Sequence, residues 1–156
     1  MRGARVLRLA VAALALAGLP RAAWALLQTC TISTVAVNFG IYDPLSVTAN
    51  TATGTVSLSC TLGLLSTWTV ALGTGNSSNF APRLLVNGSQ SLTYNLYTSA
   101  AYSTVWGDGS GGTGTMSGTQ VVGTTNVSYT VYGRIPARQD MGAGTYLDTI
   151  VVTVSY

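Results

Sequence analysis

Apolar and polar residues alternate at period two along most of this chain, and the alternation comes in short runs separated by turn residues. In Gly54 to Cys60 (GTVSLSC), Val56, Leu58 and Cys60 share one face while Thr55, Ser57 and Ser59 share the other. That is a half-buried strand with its cysteine pointing into the core. Trp68, Val70 and Leu72 continue the pattern in the next strand, which ends at Gly73-Thr74-Gly75-Asn76. Arg83 to Val86 and Leu92 to Tyr97 flank Asn87-Gly88-Ser89-Gln90, and Asn-Gly between apolar runs predicts a hairpin. Val127, Tyr129 and Val131 alternate with Ser128, Thr130 and Tyr132 until Gly133-Arg134-Ile135-Pro136, where proline ends the strand. Thr31 to Phe39 alternates loosely and stops at Gly40, ahead of a turn at Asp43-Pro44. Trp106 to Thr115 (WGDGSGGTGT) is too glycine-rich for strand or helix and reads as a surface loop.

The last stretch, Gly142 to Tyr156, poses a question of its own. Its second half places Ile150, Val152, Val154 and Tyr156 on one face, with Thr149, Thr153 and Ser155 on the other, and the strand runs flush to the C-terminus. An exposed flat edge templates pairing with another chain unless something covers it. Six or seven short strands with turn signals between them indicate an all-β domain, a β-sandwich with immunoglobulin-like features. No second domain, linker or internal repeat is visible.

The first residues are expected to be a leader rather than fold. Arg2, Arg5 and Arg8 precede an apolar run from Val6 to Leu19, and Ala23-Trp24-Ala25 is a small-x-small cleavage pattern. The run falls short of the roughly 20 apolar residues that span a bilayer, so residues 1–25 read as a signal peptide and residues 26–156 as one secreted domain without a membrane span. Removing the leader reverses the charge: Arg83, Arg134 and Arg138 face Asp43, Asp108, Asp140 and Asp148, a net −1. The basic pI near 9.1 belongs to the precursor, and no case for nucleic-acid binding remains. A composition rich in Thr, Ser, Val and Gly, without Glu, Lys or His after the leader, favours strands and turns over helix.

The same composition excludes most chemistry. In an oxidising compartment the only two cysteines, Cys30 and Cys60, are expected to pair as a structural disulfide; a catalytic thiol or metal site lacks the companions it needs. Gly107-Asp108-Gly109-Ser110-Gly111-Gly112 fits the dinucleotide fingerprint formally, but no strand and helix flank it to hold a pyrophosphate. A serine nucleophile has no ordinary base. Asp108 and Asp140 meeting in space as a glycosidase-like carboxylate pair is the residual enzymatic reading, with solvated loop carboxylates as the alternative. Calcium at Asp108 lacks clustered oxygen ligands. No cofactor or metal is expected. Asp148 interrupts the apolar face of the last strand, either at its rim, paired with Arg134 or Arg138, or as a guard against edge pairing. Tyr94, Tyr97, Tyr102, Trp106 and Tyr132 are expected in cross-strand packing, with a sugar-binding surface as the other reading. The sequons at Asn76, Asn87 and Asn126 matter only in a host that glycosylates secreted proteins.

Several segments together carry a resemblance: Cys30-Thr31-Ile32-Ser33, Asn38-Phe39-Gly40-Ile41-Tyr42-Asp43-Pro44-Leu45, Gly54-Thr55-Val56, Cys60-Thr61, Phe80-Ala81-Pro82-Arg83, Tyr94-Asn95-Leu96-Tyr97, Val105-Trp106-Gly107-Asp108-Gly109, Val131-Tyr132-Gly133-Arg134-Ile135-Pro136 and Gly144-Thr145-Tyr146 through Tyr156. In this order they resemble the spore coat protein U domain family, which includes subunits of archaic chaperone-usher pili. The resemblance implies an incomplete immunoglobulin-like sandwich with one disulfide, completed by a donor strand from a periplasmic chaperone and then, at an outer-membrane usher, from a neighbouring pilus or coat subunit. It further implies that Ile150, Val152, Val154 and Tyr156 belong to the strand-acceptor or chaperone-binding edge, that the bridge holds the first strand to the second, and that the protein passes through the periplasm to a fimbrium or coat.

Cleavage after Ala25 leaves only Leu26 to Thr29 ahead of Cys30, short for a donor strand of 5 to 6 residues or more. The expectation is therefore a non-enzymatic subunit that accepts a strand without giving one, as at a tip or terminus, or a coat protein that does not polymerise this way. A self-contained secreted adhesin or glycan-binding module is the alternative function.

Overall fold

Period-two alternation becomes eight strands in the computed structural model, which describes residues 29–62, 66–121 and 123–156. The expected leader, residues 1–25, lies outside them. The strands are β1 (Thr29–Val35), β2 (Asn50–Leu62), β3 (Ser66–Leu72), β4 (Arg83–Asn87), β5 (Gln90–Tyr97), β6 (Met116–Gln120), β7 (Gly123–Ile135) and β8 (Val152–Ser155). They form two antiparallel sheets, a five-stranded one in the order β1-β2-β7-β5-β4 and a three-stranded one in the order β6-β3-β8. No helix occurs among the described residues, and the fold is an all-β, immunoglobulin-like sandwich with one disulfide.

The spine is the β2–β7 ladder, in register from Asn50 opposite Ile135 to Leu62 opposite Gly123. Its alternation sorts the two faces. Val56, Leu58, Cys60, Tyr129 and Val131 turn inward, where Trp68, Val70 and Leu72 of β3 meet them from the other sheet. Outward, hydroxyls face one another across the strands: Ser57 and Ser128 lie 2.7 Å apart and Thr61 and Thr124 3.0 Å apart. The β4–β5 hairpin closes as expected, with Asn87 opposite Gln90 and Gly88 at a φ of 59° in the loop.

One expectation is revised, and one strand is added that the alternation did not mark. Trp106 to Thr115 is not wholly a surface loop, because Trp106 is completely buried, donates from Nε1 to the Val70 carbonyl at 3.0 Å and packs edge-on against Tyr129. One large apolar side chain is enough to pull the start of a glycine-rich segment onto the core. Immediately after that segment comes a strand with no apolar alternation, β6 (MSGTQ), paired to the edge of β3. Its Gly118 stands opposite Trp68, and a Cβ there would collide with the indole ring. The bare glycine gives the ring its seat.

Candidate functional site

Among the described residues, the two sheets do not close on each other along one side. β1 is the last strand of the five-stranded sheet and β8 the last of the three-stranded sheet. Between their outer edges runs a groove of about 300 Å³. One wall is residues 34–39, the continuation of β1, and the other is residues 148–152, leading into β8. The floor is the domain core itself, with Val56, Leu72, Tyr94, Leu96 and Val131 both lining the groove and belonging to the buried cluster. The first wall lies close on the sheet because two residues beneath it have no side chain. A Cβ on Gly54 would meet the Val35 carbonyl at 2.6 Å, and one on Gly133 would meet Val37 at 2.6 Å and Phe39 at 2.7 Å.

Of the nine large apolar residues left exposed among those described, only Val35 lines the groove. Ile41, Leu45 and Val47 lie on the loop that follows the first wall, and Val151 lies within the second.

The residues singled out in the last strand are distributed over this architecture. Ile150 and Val152 line the groove. Val154 packs against the core opposite Val70 of β3, and Tyr156 follows β8 half-exposed. The opposing wall, Val35, Val37 and Phe39, was not singled out from sequence. Its i, i+2, i+4 spacing is the signal that was available. Cys30 and Cys60 are bonded, directly opposite each other in the β1–β2 register with Cα atoms 4.1 Å apart, and so fasten the strand that forms this wall.

One end of the groove is polar. Phe39 meets Tyr94 edge-on at 5.9 Å, and the Tyr94 hydroxyl donates to Asp148 Oδ2 at 2.7 Å. Asp148 Oδ1 accepts the Asn76 N–H at 2.7 Å. Burial, then the hydrogen bond to Asp148, pushes the Tyr94 phenol well above its ordinary range. Of the readings weighed for Asp148, pairing with Arg134 or Arg138 is not seen among the described residues: its carboxylate ties the β3–β4 loop and Tyr94 to the C-terminal segment, while the Arg134 guanidinium lies 5.4 Å from the Tyr102 ring centroid. Behind Tyr94 sits the fully buried Arg83, whose Nε and Nη2 donate to the Gly73 carbonyl at 2.9 and 2.8 Å. Its Nη2 also reaches the Trp106 carbonyl at 2.7 Å, and Nη1 reaches Asn95 Oδ1 at 2.8 Å. Burial lowers its pKa, opposed by the nearby Tyr94 and Asp148.

The other aspartate weighed for chemistry folds onto its own loop. Asp108 Oδ1 accepts from the Ser110 hydroxyl at 2.6 Å and from its N–H at 2.8 Å, which holds the Asp108 carboxyl below the usual range. No group of three or more His, Cys, Asp or Glu that could hold a metal occurs among the described residues. Tyr94 and Trp106 are core residues, and Tyr97 packs edge-on against Tyr102 with centroids 5.4 Å apart.

Comparison with known proteins agrees with this architecture. The Spore Coat Protein U domain matches residues 17–153. Protein U of Myxococcus xanthus is 34% identical over 134 residues, covering 77% of this chain and 71% of the relative. Among solved structures, a chain in the chaperone–tip adhesion subunit pre-assembly complex from the archaic chaperone-usher Csu pili of Acinetobacter baumannii superposes with a TM-score of 0.57. It is 22% identical; the match covers 83% of this chain, which spans 40% of that one, so the likeness is one of fold. A domain profile matching nearly the whole chain, on a sandwich held by the Cys30–Cys60 bridge, places this protein in the Spore Coat Protein U domain family.

Proposed function

We propose that this chain is a structural, non-catalytic subunit of a bacterial surface fibre or coat, and that the groove between β1 and β8 is where a strand from another chain completes its sandwich. The observation that carries the reading is the direct opening of the core between two sheet edges that have no strand partner among the described residues. Such an opening offers an incoming strand backbone partners on both sides and an apolar floor below. The wall of residues 34–39 fits a donor segment about 17 Å long, at roughly 3.3 Å per residue, with room for about three inward side chains at alternate positions. Each buried Val, Leu or Ile contributes about 1.5 to 3 kcal/mol, a gain the open groove forgoes. The alternative of a self-contained adhesin is disfavoured by that same opening.

The solved structure that shares this fold is a pre-assembly complex of a chaperone with a tip adhesion subunit, which supports a periplasmic chaperone as first donor here, followed by a neighbouring subunit at an outer-membrane usher. Ile150 and Val152 then contact the donor directly, and Val154 and Tyr156 extend the edge beyond it. The test is production of the secreted domain with and without its chaperone, and titration of the free chain with a synthetic strand carrying three alternating valines. At a hundredfold excess over Kd, the peptide is expected to raise the melting temperature by roughly 5 to 10 °C. A free chain that is monomeric, unfolds cooperatively and ignores both chaperone and peptide would sink the proposal. The finer assignment, a tip or terminal subunit that accepts without donating, is tested with a peptide of residues 26–29, the stretch left ahead of Cys30 once the leader is removed: its failure to stabilise a second copy is the expected result, and stabilisation would make the subunit a donor as well.

A further inference from the structure

One residue of the second groove wall breaks its apolar face. From Leu147 to Val154 exposure alternates strictly: Asp148, Ile150, Val152 and Val154 are partly buried, and Leu147, Thr149, Val151 and Thr153 are exposed. Asp148 therefore occupies an inward position, in line with Ile150 and Val152, and like them it lines the groove. It is the only charged residue of a lining that otherwise holds aliphatic and aromatic side chains and three threonines.

Its carboxylate is seated rather than loose at a rim. A Cβ on Gly75, at a φ of 67°, would collide with both oxygens. Oδ1 accepts the Asn76 N–H and Oδ2 the Tyr94 hydroxyl. Both donors are neutral, and they use about two of the roughly four lone-pair positions that a carboxylate offers. Arg83, behind Tyr94, does not take the others, because its N–H groups are directed to the Gly73 and Trp106 carbonyls and to Asn95. The groove thus carries, at its Phe39 end, a fixed acceptor with unused capacity.

Filling the groove changes what that acceptor faces. Under a strand, water leaves, and a valine laid against Asp148 desolvates a carboxylate without replacing the hydrogen bonds it loses. A hydroxyl, amide or ammonium group at that place restores them, with the strength of a hydrogen bond to an ion. The floor asks the opposite, since the side chains of Val56, Leu96 and Val131 offer a buried hydroxyl no acceptor. An alternating strand can also slip by two residues and present the same apolar face, so an aliphatic floor alone does not fix where it stops. A single carboxylate at one end removes that degeneracy.

We infer that Asp148 selects the strand that fills the groove: the donor's inward side chain at the Phe39 end gives a hydrogen bond to this carboxylate, the inward side chains beyond it are aliphatic, and the strand is thereby held in one register. The inference rests on the strand-acceptor reading and names the donor's chemistry. An inward charge on a sheet edge discourages pairing in general. Here it favours one class of strand over the uniformly apolar one.

The experiment measures Kd on the secreted domain for four peptides: the three-valine strand, and three versions with threonine in place of the first, second or third inward valine. Threonine nearly keeps the shape of valine and adds a hydroxyl. At one terminal site it is expected to bind at least as tightly as valine, and roughly tenfold more tightly than threonine at either other site. In D148L that threonine is expected to lose its advantage and the three-valine strand to become the tightest of the four, its binding showing that the variant is folded. D148N keeps an acceptor oxygen without the charge; it is expected to cut the advantage about threefold or more, and it decides the matter should D148L fail to fold. An equal cost of threonine at all three sites of the unaltered chain overturns the inference, as does an advantage at the middle site. So does a uniform loss of affinity in the variants with the preference among peptides intact, which would make Asp148 a tie between loops and nothing more. Failure of all four peptides to bind the unaltered chain instead strikes the strand-acceptor reading itself.

Discussion

Burying a guanidinium is tolerable only when its N–H groups find acceptors, and Arg83 does so on Gly73, Trp106 and Asn95 at once. Two loops and strand β5 are thereby tied to one side chain. In sequence Arg83 is merely the polar residue that opens an apolar run, and nothing in the alternation distinguishes it from a solvated strand end. Asp148 is similar: period two exposes it as an interruption, but only the fold brings Asn76 and Tyr94 to its two oxygens. The raised phenol of Tyr94 gives this cluster a pH signature. A folded-state pKa above the unfolded value near 10 means that the folded chain keeps a proton the unfolded chain releases. The contribution is complete below about pH 10 and declines as pH rises from there toward the folded value. Tyr94→Phe removes the hydrogen bond to Asp148 and is expected to lower stability by about 1 to 2 kcal/mol at neutral pH. Above about pH 10 the gap between the two proteins narrows, since the variant has no phenol at this position to keep protonated. Urea midpoints from pH 7 to 10.5 measure it, and parallel curves would mean the phenol is not selectively protonated in the fold.

At the scale of elements, legibility follows how each strand is buried. β2, β3 and β7 carry one clean apolar face against the other sheet, so Val56, Leu58, Trp68, Val70, Tyr129 and Val131 could be assigned to the core from period two alone. β6 has one neighbour strand, a half-exposed face and a glycine where Trp68 needs room, and it leaves no periodic trace. The last strand is legible but shorter than its alternation, because only Val152–Ser155 pairs with β3 while residues 148–150 line the groove instead. β1 presents a further case. It is an edge strand whose ladder stops at Val35, and the Cys30–Cys60 bond ties it to the central β2. Replacing both cysteines by serine is expected to lower stability by roughly 3 to 4 kcal/mol, for a loop closed over 30 residues. The same change should weaken the response to a strand peptide, because the fraying strand continues into one groove wall. Equal urea midpoints for the two proteins would show that the β1–β2 ladder holds without the bond.

For the whole molecule, this arrangement produces a gradient of stability from the middle of the large sheet outward. β2 and β7 are paired over thirteen residues and each has a second neighbour, whereas β8 is paired over four residues with β3 alone among the described strands. Local opening is easiest where backbone bonds are few and apolar contacts incomplete, which here means the two edges that flank the groove. Hydrogen exchange should therefore be slow at Val56, Leu58, Tyr129 and Val131, near the rate set by global unfolding, and fast at β8 and at residues 34–39. Supplying a strand peptide changes the edges without touching the spine: β8 and the β1 wall gain pairing partners and their amides slow by tenfold or more. Any slowing at β2 and β7 then follows only the overall rise in stability. Uniform protection in the free chain would contradict the open-edge account, since a sandwich with both walls already stable has nothing for a donor strand to complete.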